Sequence, residues 1–206
     1  MKLLIFALFS AFLIAAPKTA FSQSKGKSAR DTATISDHSV SFRAVLPAGF
    51  VKPSSDSTLF STEYGNVMMR ATIAETKQGA CMTGFYDFFS DYFADKSDAD
   101  ALDSLQMQLL RNMNGTLTRQ YKMILNGKKA RRSPTGERPM PDAPLQSRTT
   151  YFTTVIEKKT TYWRFVLMLD KPRIYQMAVT STDRKLLDRP DVNAFFESVR
   201  IVAGEE

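Results

Sequence analysis

Cysteine and histidine are nearly absent from this chain of 206 residues, which contains one of each. A single cysteine, Cys81, excludes a disulfide framework within the chain and any zinc site built on several thiolates. A single histidine, His38, excludes metal centres built on several histidines, and we interpret it as an exposed polar residue. The motifs of phosphate-binding loops, serine-hydrolase elbows and EF-hand calcium loops are also missing, so no cofactor or metal is predicted.

Only one long apolar run occurs, and it lies at the N-terminus. Leu3–Ala16 follows the positive charge of Lys2 and ends at Pro17, and small residues precede a cleavage site after Ser22. These features predict a signal peptide over residues 1–22. An uncleaved anchor is the alternative, but the run has 14 residues and a membrane span needs roughly 20. We therefore expect a protein exported to the periplasm or the cell exterior, with no transmembrane segment after cleavage.

The charge balance is modestly basic. Removal of the signal peptide takes away two lysines and no acid, so the net charge falls from +7 to +5. This excess permits binding to anionic envelope polymers or lipid head groups but does not indicate a nucleic-acid partner. With 43% hydrophobic residues, the remaining chain is long enough to fold as one domain without crosslinks.

We expect this single domain to span residues 37–203. Residues 23–36 consist mostly of Ser, Lys, Thr and Ala and predict a flexible leader. Alternating apolar residues predict a first strand at Val40–Ala44, where the fold is expected to begin. Residues 57–76 predict a hairpin that turns at Tyr64–Asn66.

Three helices are predicted. Aromatic residues at spacings of three and four predict an amphipathic helix over Gly79–Lys96. A second helix is expected to begin after a cap at residues 97–100 and to end at Asn114–Gly115. The third is expected to begin at Pro190, with Asp188 as its cap.

The second half of the chain is rich in strand patterns. Leu117–Leu125 predicts a strand, Asn126–Gly127 a hairpin turn with Lys128–Arg132 as its return arm, and residues 133–144 a proline-rich loop. Three further strands within residues 151–180 are joined by short connections and predict an antiparallel meander. Segregated strands and helices predict an α+β domain, in which helices pack on the faces of a mostly antiparallel sheet.

Three segments together resemble the PsbP-like family, in an order of elements that covers residues 40–202. Phe42–Phe50 (FRAVLPAGF) resembles the opening strand and proline-glycine turn of the family. Arg173–Thr180 (RIYQMAVT) resembles a strand in which tyrosine begins an apolar alternation, and Asp191–Ile201 resembles the closing helix-to-strand element. Residues 77–144 depart most from the family pattern.

The resemblance implies an α/β/α sandwich around an antiparallel sheet. Members of this fold act mainly as non-enzymatic partners: an extrinsic photosystem subunit, a Ran-binding import factor and envelope proteins of unassigned role. The family brings no catalytic motif, so the resemblance implies no catalytic residue in this chain. It implies a non-enzymatic accessory or binding protein of the cell envelope.

Five cations lie close together in the predicted return arm and loop, offset within that stretch only by Glu137: Lys128, Lys129, Arg131, Arg132 and Arg138. Such a positive edge suits docking to an anionic partner. Protection of a strand edge against pairing is the alternative. The expected partner is an envelope protein, an anionic polymer or a small ligand. Nucleic acid is not expected, because no aromatic residues are interleaved with the cations.

Aromatic residues of the first predicted helix suggest a possible apolar cleft at Phe85, Tyr86, Phe89 and Tyr92. Core packing of the same side chains is the alternative, because helical spacing more often reflects packing. Cys81 either links two chains in a dimer or is a small buried side chain.

Acidic residues recur between positions 87 and 103. They suggest an alternative function, a hydrolase with a carboxylate-based site, which needs two carboxylates within about 10 Å of each other beside a cleft. A calcium site fits the spacing less well, because the first three acids are four residues apart and spread along a helix face. A solvated helix face with capping residues is the competing interpretation. The acids are Asp87, Asp91, Asp95, Asp98, Asp100 and Asp103.

Overall fold

The computed structural model describes residues 32–36, 40–62, 64–125 and 145–203. This part of the chain contains ten strands, three α-helices and one 3₁₀ helix. The strands are β1 (Thr32–Ser36), β2 (Val40–Val45), β3 (Val51–Thr62), β4 (Gly65–Glu75), β5 (Gly79–Asp87), β6 (Thr116–Leu125), β7 (Leu145–Ile156), β8 (Lys159–Asp170), β9 (Arg173–Ser181) and β10 (Arg200–Ala203). The helices are α1 (Ser90–Phe93), α2 (Asp98–Asn112) and α3 (Pro190–Glu197), and the 3₁₀ helix is Arg184–Asp188.

The strands form two sheets. The large sheet has seven strands in the order β3-β4-β5-β9-β8-β7-β6, and the small sheet has three in the order β1-β2-β10. The strand pairs of both sheets are antiparallel. Because this antiparallel structure is combined with helices in separate segments, the domain is α+β, as predicted.

The two faces of the large sheet are covered by different elements. On one face α2 contacts β7 and β8, and buried Arg148 of β7 donates to the carbonyl oxygen of Ala99 in α2. On the other face the small sheet contacts β4 and β5, and the 3₁₀ helix contacts β8 and β9. α3 packs against the 3₁₀ helix and β2. The hydrophobic core therefore lies on both sides of the large sheet.

The predicted meander is formed by β7, β8 and β9. The rings of Phe152 in β7 and Trp163 in β8 stack with their centroids 5.7 Å apart, and neither residue is more than 1% exposed. Trp163 donates from Nε1 to Thr154 Oγ1 over 2.8 Å. The indole is thus buried with its polar atom satisfied, as a buried tryptophan requires.

The two longer helices begin near their predicted positions. Ser97 caps α2, since its Oγ accepts a hydrogen bond from the backbone N–H of Asp100 at 3.2 Å. Pro190 is the first residue of α3, where its missing N–H costs nothing. The prediction that Asp188 caps α3 is wrong: the N-cap is Arg189, and no side chain caps the helix.

The predicted helix over Gly79–Lys96 is wrong for most of its length. Its first half forms β5, which pairs with β4 and β9 in the middle of the large sheet, and only α1 is helical. Residues 81–85 are all buried, which is typical of a strand covered on both faces. Glycine permits the close pairing, because a Cβ on Gly79 would lie 2.0 Å from the carbonyl oxygen of Thr180.

The prediction of a flexible leader through residue 36 is wrong for its last five residues, which form β1. β1 pairs with β2 in the small sheet. Ala33 and Ile35 are 1% and 5% exposed, because alternate residues of a strand share a face and this face lies on the core. The ordered fold thus includes Thr32, rather than starting near Val40.

Several predictions concern residues outside the described part of the chain. These are the signal peptide, most of the leader, His38, and the turn, return arm and loop over residues 126–144. Within the described part, β6 pairs with β7 from Thr116 opposite Thr153 to Leu125 opposite Leu145. None of the helices described is long and apolar enough to cross a membrane.

Candidate functional site

One row of side chains crosses β6, β7 and β8 on the face that carries the 3₁₀ helix. Arg119 of β6 lies opposite Tyr151 of β7, which lies opposite Arg164 of β8. Residues directly opposite each other in antiparallel strands point to the same face, so the tyrosine ring stands between two guanidinium groups. The Cζ atoms of Arg119 and Arg164 lie 4.1 and 5.5 Å from the centroid of the Tyr151 ring. We call these three residues the arginine–tyrosine row.

Arg164 is the half-buried end of the row. Its Cζ lies 4.3 Å from the ring centroid of Phe196 in α3, and its Nη1 donates to Asn193 Oδ1 and to the carbonyl oxygen of Leu187. Its buried Nε has no acceptor among the residues that the structure describes. Burial lowers the pKa of the Arg164 guanidinium, but arginine stays a cation at neutral pH.

Arg119 is the exposed end of the row, with 44% of its side chain accessible. Its Nη2 lies 3.5 Å from Oδ1 of Asp188, whose side chain is 58% exposed. A charge-assisted hydrogen bond is about 2.8 Å long, so this ion pair is loose. The Cζ of Arg119 also lies 5.2 Å from the ring centroid of Tyr121, which is 44% exposed. Arg119 therefore presents its charge to solvent beside two tyrosine rings.

The arginine–tyrosine row is suited to noncovalent binding of an anion. A guanidinium group recognises a carboxylate or phosphate through two parallel N–H donors. Contact with an aromatic face favours the cation and holds the planar group in place. Together with the exposed Tyr121 ring beside it, the row thus combines positive charge with an accessible aromatic surface.

No pattern in the sequence predicts this row, because Arg119 and Arg164 lie 32 and 13 residues from Tyr151. The register of β6, β7 and β8 brings them together. One local signal exists: Arg164 stands between Trp163 and Phe165 in a strand pattern that is otherwise largely apolar. A charged residue in such a strand is rarely buried without partners. The position of Arg164 therefore indicates specific contacts for its guanidinium group.

The five predicted docking cations, Lys128, Lys129, Arg131, Arg132 and Arg138, lie outside the described residues. The connection that carries them leaves β6 after Leu125 and enters β7 at Leu145, and these two residues are paired. Both ends of the connection therefore lie at one end of the large sheet. The arginine–tyrosine row crosses the same two strands six residues further along β7.

The four predicted cleft residues do not share one surface. Phe85 and Tyr86 are neighbours in β5 and point to opposite faces. Tyr86, Phe89 and Tyr92 instead surround Phe88, with ring centroids 6.4, 5.5 and 4.8 Å from its own. Phe88 is 7% exposed, and the edge-to-face geometry is typical of packed aromatic clusters. An apolar ligand cleft at these rings stays a prediction.

Asp103 is the most strongly held of the six predicted acids. It accepts hydrogen bonds from Nε of Arg148 at 2.5 Å and from Nζ of Lys122 at 3.2 Å. Arg148 is 3% exposed, so its charge is neutralised inside the fold. The bond from Arg148, assisted by Lys122, lowers the pKa of the Asp103 carboxyl.

The other acids bind neighbouring side chains or face solvent. Asp87 accepts from Arg173, Asp98 from Lys171 and Asp100 from Ser97, and Asp91 and Asp95 are exposed. Ion pairs and caps of this kind support the local structure around α1 and α2. Among the described residues, no three His, Cys, Asp or Glu side chains are grouped so that they could hold a metal ion.

Cys81 lies in β5 and is 1% exposed. Burial raises the pKa of its thiol to about 12, so the group is protonated at neutral pH and is a poor nucleophile. A disulfide between two copies through Cys81 would require β5 to open away from its neighbours. The small buried side chain is therefore the interpretation that agrees with the structure.

No protein-family model matches the chain, and no curated protein matches it. Similar solved structures include cyanobacterial PsbP (CyanoP) from Synechocystis sp. PCC 6803, with a TM-score of 0.48 and 7% identity over 87% of this chain and 98% of that one. LpqN, involved in cell envelope biogenesis of Mycobacterium tuberculosis, has a TM-score of 0.42 and 9% identity over 83% and 90% of the chains. A protein of unknown function from Pseudomonas aeruginosa has a TM-score of 0.33 and 11% identity over 71% and 81%. At these TM-scores the similarities assign neither a family nor a function.

Proposed function

We propose that this chain is an exported, non-enzymatic binding protein of the cell envelope. Its arginine–tyrosine row binds an anionic group of an envelope component. The signal-peptide pattern of residues 1–22 supports export to the periplasm or the cell exterior. The hydrolase alternative gains no support from the described contacts, because Asp87, Asp98 and Asp103 are held in ion pairs.

The observation that carries this proposal is the position of Arg119 within the row. Arg148 and Arg173 have carboxylate partners at 2.5 and 2.6 Å, so their charges are used within the fold. Arg119 has only the loose pair with Asp188 among the described residues, and Arg164 lies on the other side of the same ring. The row therefore retains positive charge for an external anion.

The cations of residues 128–138 form the second part of the proposed surface. Five positive charges and one negative charge fall within this stretch. Such a local excess raises the association rate with an anionic partner through long-range attraction, which salt weakens. We assign the long-range attraction of the anionic partner to these residues. We assign the specific contact with that partner to the arginine–tyrosine row.

The architecture that we propose is an α/β/α sandwich of the PsbP-like type. It is supported by α2, which contacts one face of the large sheet, and by the 3₁₀ helix, which contacts the other. α3 contacts both the 3₁₀ helix and β2. The small sheet joins this second layer, so the sandwich contains strands as well as helices on that side.

The proposal is tested by co-sedimentation of the mature chain, residues 23–206, with envelope isolated from its own organism. We expect binding that weakens at least five-fold between 20 and 200 mM salt, on the order expected when exposed charges are screened. Substitution of Arg119→Ala should weaken binding by about ten-fold, because one charge-assisted contact is lost. Binding should weaken further when glutamate replaces all four of Lys128, Lys129, Arg131 and Arg132.

Lys77→Ala is the matched control, because Lys77 is an exposed cation in the turn between β4 and β5. This variant also removes one positive charge, but at a position distant from β6 in the large sheet. It should leave binding unchanged. The thermal midpoints of Arg119→Ala and Lys77→Ala should stay close to that of the unchanged chain, since both side chains are exposed. Binding that survives both the Arg119 change and the charge reversal at low salt would contradict the proposal.

A further inference from the structure

Asp188 already places a carboxylate against the exposed arginine of the row. Its Oδ1 lies 3.5 Å from Nη2 of Arg119, and both side chains are largely accessible. Ion pairs between exposed side chains contribute little stability, so this carboxylate exchanges readily with another. Asp188 ends the 3₁₀ helix, where its exposed side chain can leave Arg119 at little cost in stability. It marks the position where the carboxylate of a ligand would bind.

A second feature lies beside that position. The Tyr121 ring is 44% exposed, and its centroid lies 5.2 Å from Cζ of Arg119. The Tyr151 ring meets it edge to face, with centroids 6.2 Å apart. An exposed tyrosine offers an apolar face together with a polar hydroxyl. A sugar ring has the matching character, because its C–H groups line one face and its hydroxyls lie at the rim.

The charge balance around the row favours a ligand with one carboxylate per ring over a nucleic acid. Arg119 and Arg164 are opposed by Asp188 and Glu197, which act electrostatically on Arg164. Binding of a phosphodiester chain depends on an excess of cations along its path. Within the row itself, Arg119 is the exposed cation and already has the Asp188 carboxylate beside it, so recognition of one carboxylate is the better match.

We propose that the arginine–tyrosine row binds an acidic sugar, whose carboxylate replaces Asp188 on Arg119 while the sugar ring lies against Tyr121. This inference rests on the proposed function, because it names the ligand class of the same row. The acidic sugar is either a free sugar acid or a residue of an acidic polysaccharide. Asp188 competes with the ligand and thereby sets the affinity of the site.

The test uses the mature chain and calorimetric titration with galacturonate, polygalacturonate, galactose, inorganic phosphate and a single-stranded oligonucleotide. We expect binding of polygalacturonate, and no binding of galactose. Asp188→Asn should raise the affinity for polygalacturonate at least three-fold, because the competing charge is gone. Arg119→Ala and Tyr121→Ala should each lower this affinity about ten-fold, and Lys77→Ala should leave it unchanged.

The monomer and the polymer distinguish the two sources of the acidic sugar. Binding of monomeric galacturonate with the same variant effects identifies a free sugar acid as sufficient, whereas binding of the polymer alone identifies the polysaccharide.

Two results would overturn the inference. The first is an affinity for polygalacturonate that does not rise in Asp188→Asn or does not fall in Arg119→Ala. The second is binding of phosphate or of the oligonucleotide at the row with equal or higher affinity than the acidic sugar. If Arg119→Ala still reduces sedimentation with the envelope while no acidic sugar binds, the ligand class is wrong and the proposed function stands. If Arg119→Ala changes neither sedimentation with the envelope nor binding of acidic sugars, both the proposed function and the ligand class are wrong.

Discussion

Arginine residues have two different roles in this fold: Arg148 is buried and paired, whereas Arg119 is exposed. Arg148 is 3% exposed and donates to Asp103, Ala99 and the backbone of Ser147. A buried cation with several acceptors anchors α2 to β7, and removal of its carboxylate would leave a charge without compensation. Arg119 presents its charge to solvent, and its carboxylate partner among the described residues is the loosely held Asp188. Burial and partner geometry, rather than residue type, separate the structural arginine from the candidate binding arginine.

The bond between Asp103 and Arg148 predicts a specific loss of stability in acid. The pKa of Asp103 is lowered in the folded state, from about 3.9 in the unfolded chain. Its ionised form therefore stabilises the fold above about pH 4, and this contribution is lost as the pH falls through the folded pKa. We expect Asp103→Asn to lower the free energy of unfolding by about 1–2 kcal/mol at pH 7, since the carboxylate is partly exposed.

The measurement is urea unfolding of both proteins at pH 7, 5 and 3. The difference between them should shrink toward pH 3, because the unfolded chain of the unchanged protein takes up a proton on this carboxyl below about pH 3.9 that the folded chain resists. Asp95→Asn serves as a control, since Asp95 is exposed and a surface substitution changes stability by less than about 0.5 kcal/mol. A difference that stays constant with pH would show that the ionised carboxylate is not the source of the stability.

β5 shows how a strand forms where the spacing of aromatic residues predicts a helix. Its residues from Cys81 to Phe85 are all buried, and its neighbours β4 and β9 pair with it along most of its length. A helix in this place would leave both neighbours without partners and expose their backbone groups. Gly79 and Gly84 allow the three strands to approach closely: a Cβ on Gly84 would lie 2.8 Å from the carbonyl oxygen of Arg70.

Gly79→Ala should destabilise the protein strongly, because the added methyl group meets the Thr180 carbonyl oxygen at 2.0 Å. We expect a loss of about 3 kcal/mol, the upper range for overpacking in a closely packed interior. Gln78→Ala, at the adjacent exposed position, should change stability by less than about 0.5 kcal/mol. Chemical unfolding followed by Trp163 fluorescence measures both. Equal stability of the two variants would be inconsistent with the tight pairing of β5 and β9.

The domain combines a large sheet whose central strands are covered on both faces with a candidate binding surface toward the β6 edge. The small sheet covers β4 and β5, and the 3₁₀ helix covers β8 and β9, whereas β6 is exposed from Thr116 to Lys122. The arginine–tyrosine row lies at the border between the covered and the exposed regions. Because the strands that carry the row are paired along their length, and its exposed end faces solvent, the row can bind a ligand from solvent while its side chains are held in place.

The proposed export of the chain predicts a defined N-terminus. Expressed with its full sequence, the mature protein should begin at Gln23 and be recovered from the periplasm or the medium, because residues 1–22 have the signal-peptide pattern. N-terminal sequencing and the intact mass of the recovered protein provide the measurement. Replacement of Leu8 by Arg, which interrupts the apolar run, should keep the full-length chain in the cell. Recovery of an uncleaved chain from the envelope would support the anchoring alternative instead.

Local patterns in the sequence were sufficient for much of this fold. The alternation in β2, the short connections between β7, β8 and β9, and the cap at Ser97 act over a few residues, so they can be identified without knowledge of the rest. The same patterns led to the α+β class. They failed at β1, because Thr32–Ser36 has five residues and one large apolar side chain, Ile35. They failed at β5, because this strand is buried by strands distant in the sequence.

The candidate site depended on the tertiary structure alone. Arg119, Tyr151 and Arg164 belong to three strands, and a change of one residue in the register of either pairing would send a side chain to the opposite face. Asp188 reaches the row only because the 3₁₀ helix packs on β8 and β9. Local propensity specifies which segments are strands and helices, whereas pairing register and packing decide which charges meet, and that depends on contacts between distant parts of the chain.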